Sequence, residues 1–399
     1  MILQTPGDRL RHSLTQRGLL AWLLCALLMA FYAVLYFGWP QPEGATGFAA
    51  WQGWLWDTGT RHLEATGQRW LSFGDPQAPL HYTGNRWTLY GLLYTLAITG
   101  GGAWMLHRYR HNRYQVIRTL VVMVVQVSFA FSIPILLRFF GHPEFYFSYL
   151  WPLKIEYLDP RSFHDLGGLR VAGVELLIVW SFLASLLLVP LATLRWGKRW
   201  YCSWVCGCGG LANTFGEPWR HLSQKSTLAW RIEKITIHTM LAVALVSTGL
   251  WFLQAALPDH AALRQAGDAV RSWYGLVVTA ILSGVVGTAL YPVGGTRVWC
   301  RYFCPMAALL GILQKFSRFR IRVKKDMCIG CGLCTHFCEM GIDVRAYALG
   351  NRSFVRASCV GCGMCEEVCP RGVLHLENAA GEADGRLRLH AFLDGSWKG

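Results

Sequence analysis

The longest apolar runs in this chain exceed what a globular core helix needs. Gly18–Phe37 is 20 residues without a charge, and at 1.5 Å per residue that length crosses a hydrocarbon layer of about 30 Å. Comparable runs follow at about 87–106, 119–141, 171–194, 235–257 and 274–293, so the pattern predicts six spans. Pro134 and Pro190 interrupt the third and fourth, which membrane helices tolerate. The bulky Tyr36-Phe37-Gly38-Trp39 closes the first run where a small-residue cleavage site would stand, so an uncleaved helix is expected. Gly100-Gly101-Gly102 inside the second run reads as close helix packing. Beyond the last run, Lys315 to Lys325 alternates apolar and basic residues, and period two predicts a strand entering a C-terminal module. From Leu376 onward the chain is polar and is expected to cover that module loosely. The expected fold is an α-helical membrane domain of about six transmembrane helices, residues 1–310, followed by a small α+β module and tail, residues 311–399.

Composition supports this division. Hydrophobic residues make up 53% and charged residues only 15%, with a mean hydropathy of +0.29. The net charge of +15 would suit nucleic acid if it were clustered, but it sorts by loop. Arg and Lys number 22 in 1–17, 107–118, 195–234 and 294–325, against 8 in 38–86, 142–170 and 258–273. This asymmetry places both termini in the cytoplasm of a bacterial inner membrane, with lipid and not nucleic acid as the partner of the basic residues. Trp39, Trp51, Trp54, Trp56 and Trp70 crowd the first outer loop and are read as an interfacial aromatic cap or, alternatively, a partner-docking surface. Arg138 and Glu175 are expected near the outer ends of adjacent spans, as an ion pair or as a proton-accepting site for quinol. His107 and His238 form a single candidate pair of haem ligands. No phosphate-cradling Gly-x4-Gly-Lys motif is present, and no hydrolytic or group-transfer constellation stands out.

Cysteine carries the chemistry. Of fourteen, thirteen fall in three groups in the second half, and Cys25 stands alone as a packing residue. The sequence Cys328-x2-Cys331-x2-Cys334-x3-Cys338 recurs as Cys359-x2-Cys362-x2-Cys365-x3-Cys369. Each is the run that wraps three corners of a [4Fe–4S] cubane and sends its fourth thiolate to the other cluster. One cluster is therefore assigned to Cys328, Cys331, Cys334 and Cys369, and a second to Cys359, Cys362, Cys365 and Cys338. Glycines between the thiols let the backbone turn and aim N–H groups at sulfur. Zinc ribbons and disulfides match this doubled spacing poorly. Glu339 stands where a proline often closes such a run, as Pro370 does in the second copy.

A further repeat lies upstream. Arg199-x2-Cys202-x3-Cys206 aligns with Arg297-x2-Cys300-x3-Cys304, each just after an apolar run, and Cys208 is extra in the first copy. Thiols at i and i+4 are expected on one helix face, so two such helices could meet as a four-thiolate site. Three readings stay open: a third metal centre or iron–sulfur cluster, a redox-active or copper-handling thiol site, or buried structural cysteines.

A membrane domain with paired C-x3-C motifs, followed by a double [4Fe–4S] module, resembles the membrane-bound polyferredoxins of the NosR, NapH and FixG/CcoG type. The resemblance covers about 170–372. Gly207 departs from the usual C-x3-C-P, which Cys300–Pro305 keeps, and no flavin-attachment motif appears in the outer loops. The resemblance implies electron transfer between the quinone pool or a cytoplasmic donor and a respiratory or maturation partner. A copper-reducing assembly factor or metallochaperone and an iron–sulfur redox sensor are the alternatives.

Overall fold

In the computed structural model, which describes residues 6–78, 80–158, 170–171 and 174–378, six helices are long and apolar enough to cross a membrane. They are Leu19–Phe37, Arg86–Arg108, Arg113–Phe139, Val179–Trp196, Thr227–Ala256 and Ala261–Ala289. Side-chain caps set several of their starts by satisfying N–H groups that have no partner in the first turn. Asn85 accepts from the backbone of Trp87 and Thr88, Asn112 from Tyr114 and Gln115, and Ser226 from Ala229. The short link between Arg108 and Arg113 makes the second and third spans antiparallel neighbours.

Three spans depart from their hydropathy bounds. The Ser226 cap starts the fifth span at Thr227, and the early turns are held by Glu233, which is buried against Arg301 at 2.6 Å. The sixth begins at Ala261 because a polar, amphipathic segment, Ala261–Trp273, continues into the apolar one without a break. The fourth is shorter than expected: Arg170–Val171 and Val174–Glu175 pair as an antiparallel ribbon, and helix begins at Leu176. Arg138 pairs with Glu144 at 3.3 Å; the side chain of Glu175, its expected partner, lies outside the described residues. His107 and His238 are both exposed on the outer faces of their helices, so the expected haem pair does not enter the core.

The loop after the first span forms two helices, Gly47–Leu55 and Arg61–Leu71. Trp39, Trp54 and Trp70 are exposed along it. Trp39 covers the Arg86 guanidinium at 4.2 Å. Inside the second span, a Cβ on Gly101 would stand 2.5 Å from the Phe215 backbone nitrogen, which is the close approach the glycines allow.

The predicted strand forms at Phe319–Val323 and pairs antiparallel with Leu374–Asn378. Phe319, Ile321 and Val323 point into the core, while Arg320 and Arg322 reach Glu377 at 2.8 and 3.4 Å. Leu376 is therefore part of the sheet and not loose cover; residues 379–399 lie outside the described residues. The module packs on the ends of the spans where 109–118, 198–226 and 297–314 lie, and its core is continuous with theirs.

Candidate iron–sulfur and thiol sites

The two halves of the C-terminal module are built alike. Gly332 and Gly363 both take φ +81° and precede the short helices Leu333–His336 and Met364–Glu367, a conformation that only glycine adopts without strain. At Gly363 a Cβ would also stand 2.8 Å from the Tyr114 ring. These turns gather the thiols in a crossed arrangement. One cavity is lined by Cys328, Cys331, Cys334 and Cys369, next to Pro370. The other is lined by Cys338, Cys359, Cys362 and Cys365. Backbone N–H groups of Ile342, Gly361 and Val373 point at the sulfurs of Cys338, Cys359 and Cys369 at 3.3–3.4 Å. Thiolates on a cubane accept such bonds. The residues fit the cluster in another respect. Burial pushes the Cys338 thiol up to about 11 and Cys359 up to about 12, so a bound cationic centre is what would hold them as thiolates. When bound, the cluster supplies a one-electron couple.

Residues of the membrane domain hold the second group. Tyr114 donates to the Gly361 carbonyl at 2.7 Å, and Gln115 and Arg118 donate to the Cys362 carbonyl at 3.0 and 2.6 Å. From the other side, Ser203 donates to Val360 at 2.7 Å, and the Gln314 amide donates to Arg356 and Cys359 at 2.7 and 2.9 Å. The first group lies farther out, and Cys331 is exposed.

The upstream cysteines also come together, but not as expected. Each pair brackets a break and shares no helix face. Cys202 ends the helical turn Arg199–Cys202, and Cys206 is the N-cap of Gly207–Asn213. Cys300 sits in the π-turn Trp299–Phe303, and Cys304 caps Pro305–Gln314. Pro305 excludes helical geometry at Cys304, which sits at φ −81°, ψ 112°. Cys202, Cys206, Cys300 and Cys304 are all buried in one core, with Cys208 beside them. A single nitrogen of Arg297 bridges the copies, 3.2 Å from the Cys202 carbonyl and 3.6 Å from Cys300 Sγ. Burial pushes Cys202 up to about 12, whereas a hydrogen bond from Cys208 pulls Cys206 below the ordinary thiol range. Lys198 is near enough to favour the thiolates of Cys202, Cys300 and Cys359 alike, which makes this group a neighbour of the second ferredoxin set. Among the described residues, no three His, Cys, Asp or Glu side chains close around a single-ion position.

Gly207 has a structural reason to replace proline. A Cβ there would lie 2.5 Å from Tyr94 Oη, 2.9 Å from Tyr149 Oη and 3.0 Å from Gln126 Oε1. Those tyrosines, with Tyr36, Tyr90 and Tyr146, line a cavity of about 280 Å³ between the spans, whose wall includes Cys208 and Trp299. Sequence reading missed this cavity, because its tyrosines come from the first two spans and the loop after the third, with no shared spacing.

Residues 321–376 match a family model described as a 4Fe-4S dicluster domain. Residues 178–226 and 274–324 each match one described as a 4Fe-4S binding domain, so the upstream repeat is matched twice. Similar proteins include YccM of Escherichia coli K12, named for electron transport, at 28% identity over 189 residues, 43% of this chain and 48% of that protein. The ferredoxin-type protein MauN of Paracoccus denitrificans, named for methylamine utilization, is 28% identical over 165 residues, 39% of this chain and 53% of its own. The regulatory protein NosR of Pseudomonas aeruginosa is 26% identical over 174 residues, 41% of this chain and 22% of its own. The chain is thus similar to iron–sulfur proteins named for electron transport and to ferredoxin-type proteins, its matched domains are [4Fe–4S]-binding, and its six apolar helices are those of a membrane protein. The matched stretch spans about half the length of YccM and MauN and less of NosR. No solved structure matches the chain.

Proposed function

We propose that this chain is a membrane-bound polyferredoxin that carries single electrons between a quinone held in the membrane domain and a redox partner in the cytoplasm. The observation that carries the reading is the order of its thiol groups. Exposed Cys331 belongs to the outer group, the Cys338/Cys359/Cys362/Cys365 group abuts the membrane domain, and the five upstream cysteines follow, ending with Cys208 on the tyrosine-lined wall. In this reading each four-cysteine group holds one [4Fe–4S] cluster, with the crossed ligands given above, and the upstream five hold a further iron–sulfur centre. The family match over both upstream copies and the cations Lys198 and Arg297 favour an anionic cluster there. The cavity offers apolar surface, tyrosine hydroxyls and the charged side chains of Lys154 and Glu156 as partners for a quinone's two oxygens, and its size is near the lower end of small-molecule sites.

In this reading the ferredoxin module and both termini face the cytoplasm, which the surplus of Arg and Lys in the loops on that side supports. A cleft of about 650 Å³ beside Gly332 and Thr335 is lined by Arg17, Lys225 and Arg345 and by no carboxylate, which suits an acidic redox partner. The test is anaerobic mixing of the protein in lipid nanodiscs with a reduced quinol, following visible bleaching of the clusters. Bleaching that is lost in Cys202→Ser while dithionite still bleaches the sample supports the path. Absence of bleaching by any quinol, with clusters intact, contradicts it.

A further inference from the structure

Glu339 takes the place that proline holds after the matching run, and it is almost fully buried. Its carboxylate lies between two buried guanidiniums. Arg297 Nη2 is 3.1 Å from Oε1, and Arg220 Nη1 is 3.1 Å from Oε2. Each arginine goes on to a different thiol group. Arg220 Nη1 is 3.5 Å from Cys362 Sγ, and Arg297 Nη1 is 3.6 Å from Cys300 Sγ. The backbone on the carboxylate's side is fixed as well, since Ser223 donates to the Glu339 carbonyl at 2.6 Å. Glu217 pairs with Arg220 at 2.6 Å and accepts from Tyr109 at 2.9 Å, and both of these partners lie on the Arg220 side of the arginine pair.

Packing alone is a poor explanation for this arrangement. A buried ion pair stabilises a fold no better than well-packed apolar residues of similar volume, and proline serves at the matching position of the other run. The chain of contacts Cys362–Arg220–Glu339–Arg297–Cys300 instead runs unbroken from one thiol group to the next.

We propose that Glu339 is a positioning residue that couples the two thiol groups, holding Arg220 on Cys362 and Arg297 on Cys300 and so setting the reduction potential of the cluster at Cys338, Cys359, Cys362 and Cys365. The proposal rests on the reading that this group holds a cluster. The step it governs is the addition of one electron from the neighbouring group, with no bond made or broken. The added negative charge is stabilised by guanidiniums already in place and opposed by the Glu339 carboxylate. Glu339→Gln keeps the side chain's length and an oxygen for the guanidiniums while removing the charge, so it should raise the potential of this cluster, and neutralising Arg297, which touches none of its ligands, should lower it.

The experiment is an EPR-monitored redox titration of the intact protein in nanodiscs, the relevant signal being the one that Cys359→Ser removes. In Glu339→Gln the ratio of reduced to oxidised cluster at the wild-type midpoint should rise at least about tenfold, a shift of about 59 mV for one electron. Arg297→Gln should shift the same signal in the opposite direction. A purely structural role would lower cluster content without moving the midpoint of the clusters that remain. Unmoved midpoints in cluster-loaded variants overturn the proposal. If Glu339→Gln does not assemble, an unmoved midpoint in Arg297→Gln is sufficient to overturn it. A wild-type protein without a [4Fe–4S] signal overturns the cluster reading itself, and the coupling with it.

Discussion

Replacing Tyr114 with Phe isolates one bond in the joint between membrane domain and ferredoxin. The Tyr114 hydroxyl donates to the Gly361 carbonyl at 2.7 Å and accepts from Trp204 Nε1 at 3.3 Å. The ring itself packs edge-on against Trp204, with centroids 5.7 Å apart, and Phe preserves that contact. The substitution therefore leaves the buried Gly361 carbonyl and the indole N–H without partners. Stranding such groups costs about 1–3 kcal/mol. Gln115 and Arg118 still hold the next carbonyl, that of Cys362, so the loop keeps two of its three tethers from this helix and the lower half of the range applies. A loss of about 1–2 kcal/mol is roughly a 5- to 30-fold increase in local opening. Hydrogen exchange of the amides from Val360 to Met364, read by mass spectrometry on the cluster-loaded protein, should accelerate by that factor, and iron release to a chelator should quicken with it. Exchange within twofold of wild type at those amides would refute the claim that this hydroxyl anchors the cluster loop.

Other perturbations follow from the same geometry. Cys331→Ser and Cys362→Ser should each remove a different ferredoxin cluster, read as separate EPR signals; retention of both in either variant contradicts the crossed ligand sets. Gly207→Ala places a Cβ 2.5 Å from Tyr94 Oη and should slow quinol-driven reduction about tenfold while leaving dithionite reduction unchanged. Equal quinol rates would detach the cavity from the path. Burial pushes the cluster-free thiols of Cys202, Cys338 and Cys359 up to about 12, 11 and 12, so they are protonated at neutral pH and must give up protons to bind iron. Anaerobic reconstitution of the stripped protein should therefore release protons and proceed faster as pH rises toward those values, whereas a pH-independent rate without proton release would contradict the assignment.

The membrane domain was legible in the sequence because lipid leaves little choice: an apolar run of about 20 residues must be a helix. The ferredoxin module was legible because its cysteine spacing is fixed by the shape of the cluster, and the strand Phe319–Val323 followed from period-two alternation. The span ends were less legible, since a cap such as Ser226 or an amphipathic lead-in such as Ala261–Trp273 extends a helix past its apolar run. The upstream cysteines were visible as a repeat, but their local geometry was not. Spacing of i and i+4 suggests one helix face, yet Pro305 and its counterpart Gly207 begin new helices immediately after the second thiol. The Arg138–Glu175 expectation rested on depth alone, and sequence reading did not anticipate that Glu144, six residues along in the following loop, pairs with Arg138. Glu339 was noticed as a departure from the run, but its two arginines come from segments 119 and 42 residues away in sequence, a pairing that only the fold reveals.

The central claim is that the upstream cysteines are a third iron–sulfur station between the cavity and the ferredoxin module. It is tested most directly by counting iron, acid-labile sulfide and copper per chain in anaerobically purified protein, with EPR of the reduced sample. The account predicts clearly more than the roughly eight irons and eight sulfides of two cubanes, with an additional signal that disappears in a Cys202→Ser, Cys300→Ser variant. Eight irons with no such signal, or stoichiometric copper that the same variant loses, would contradict it.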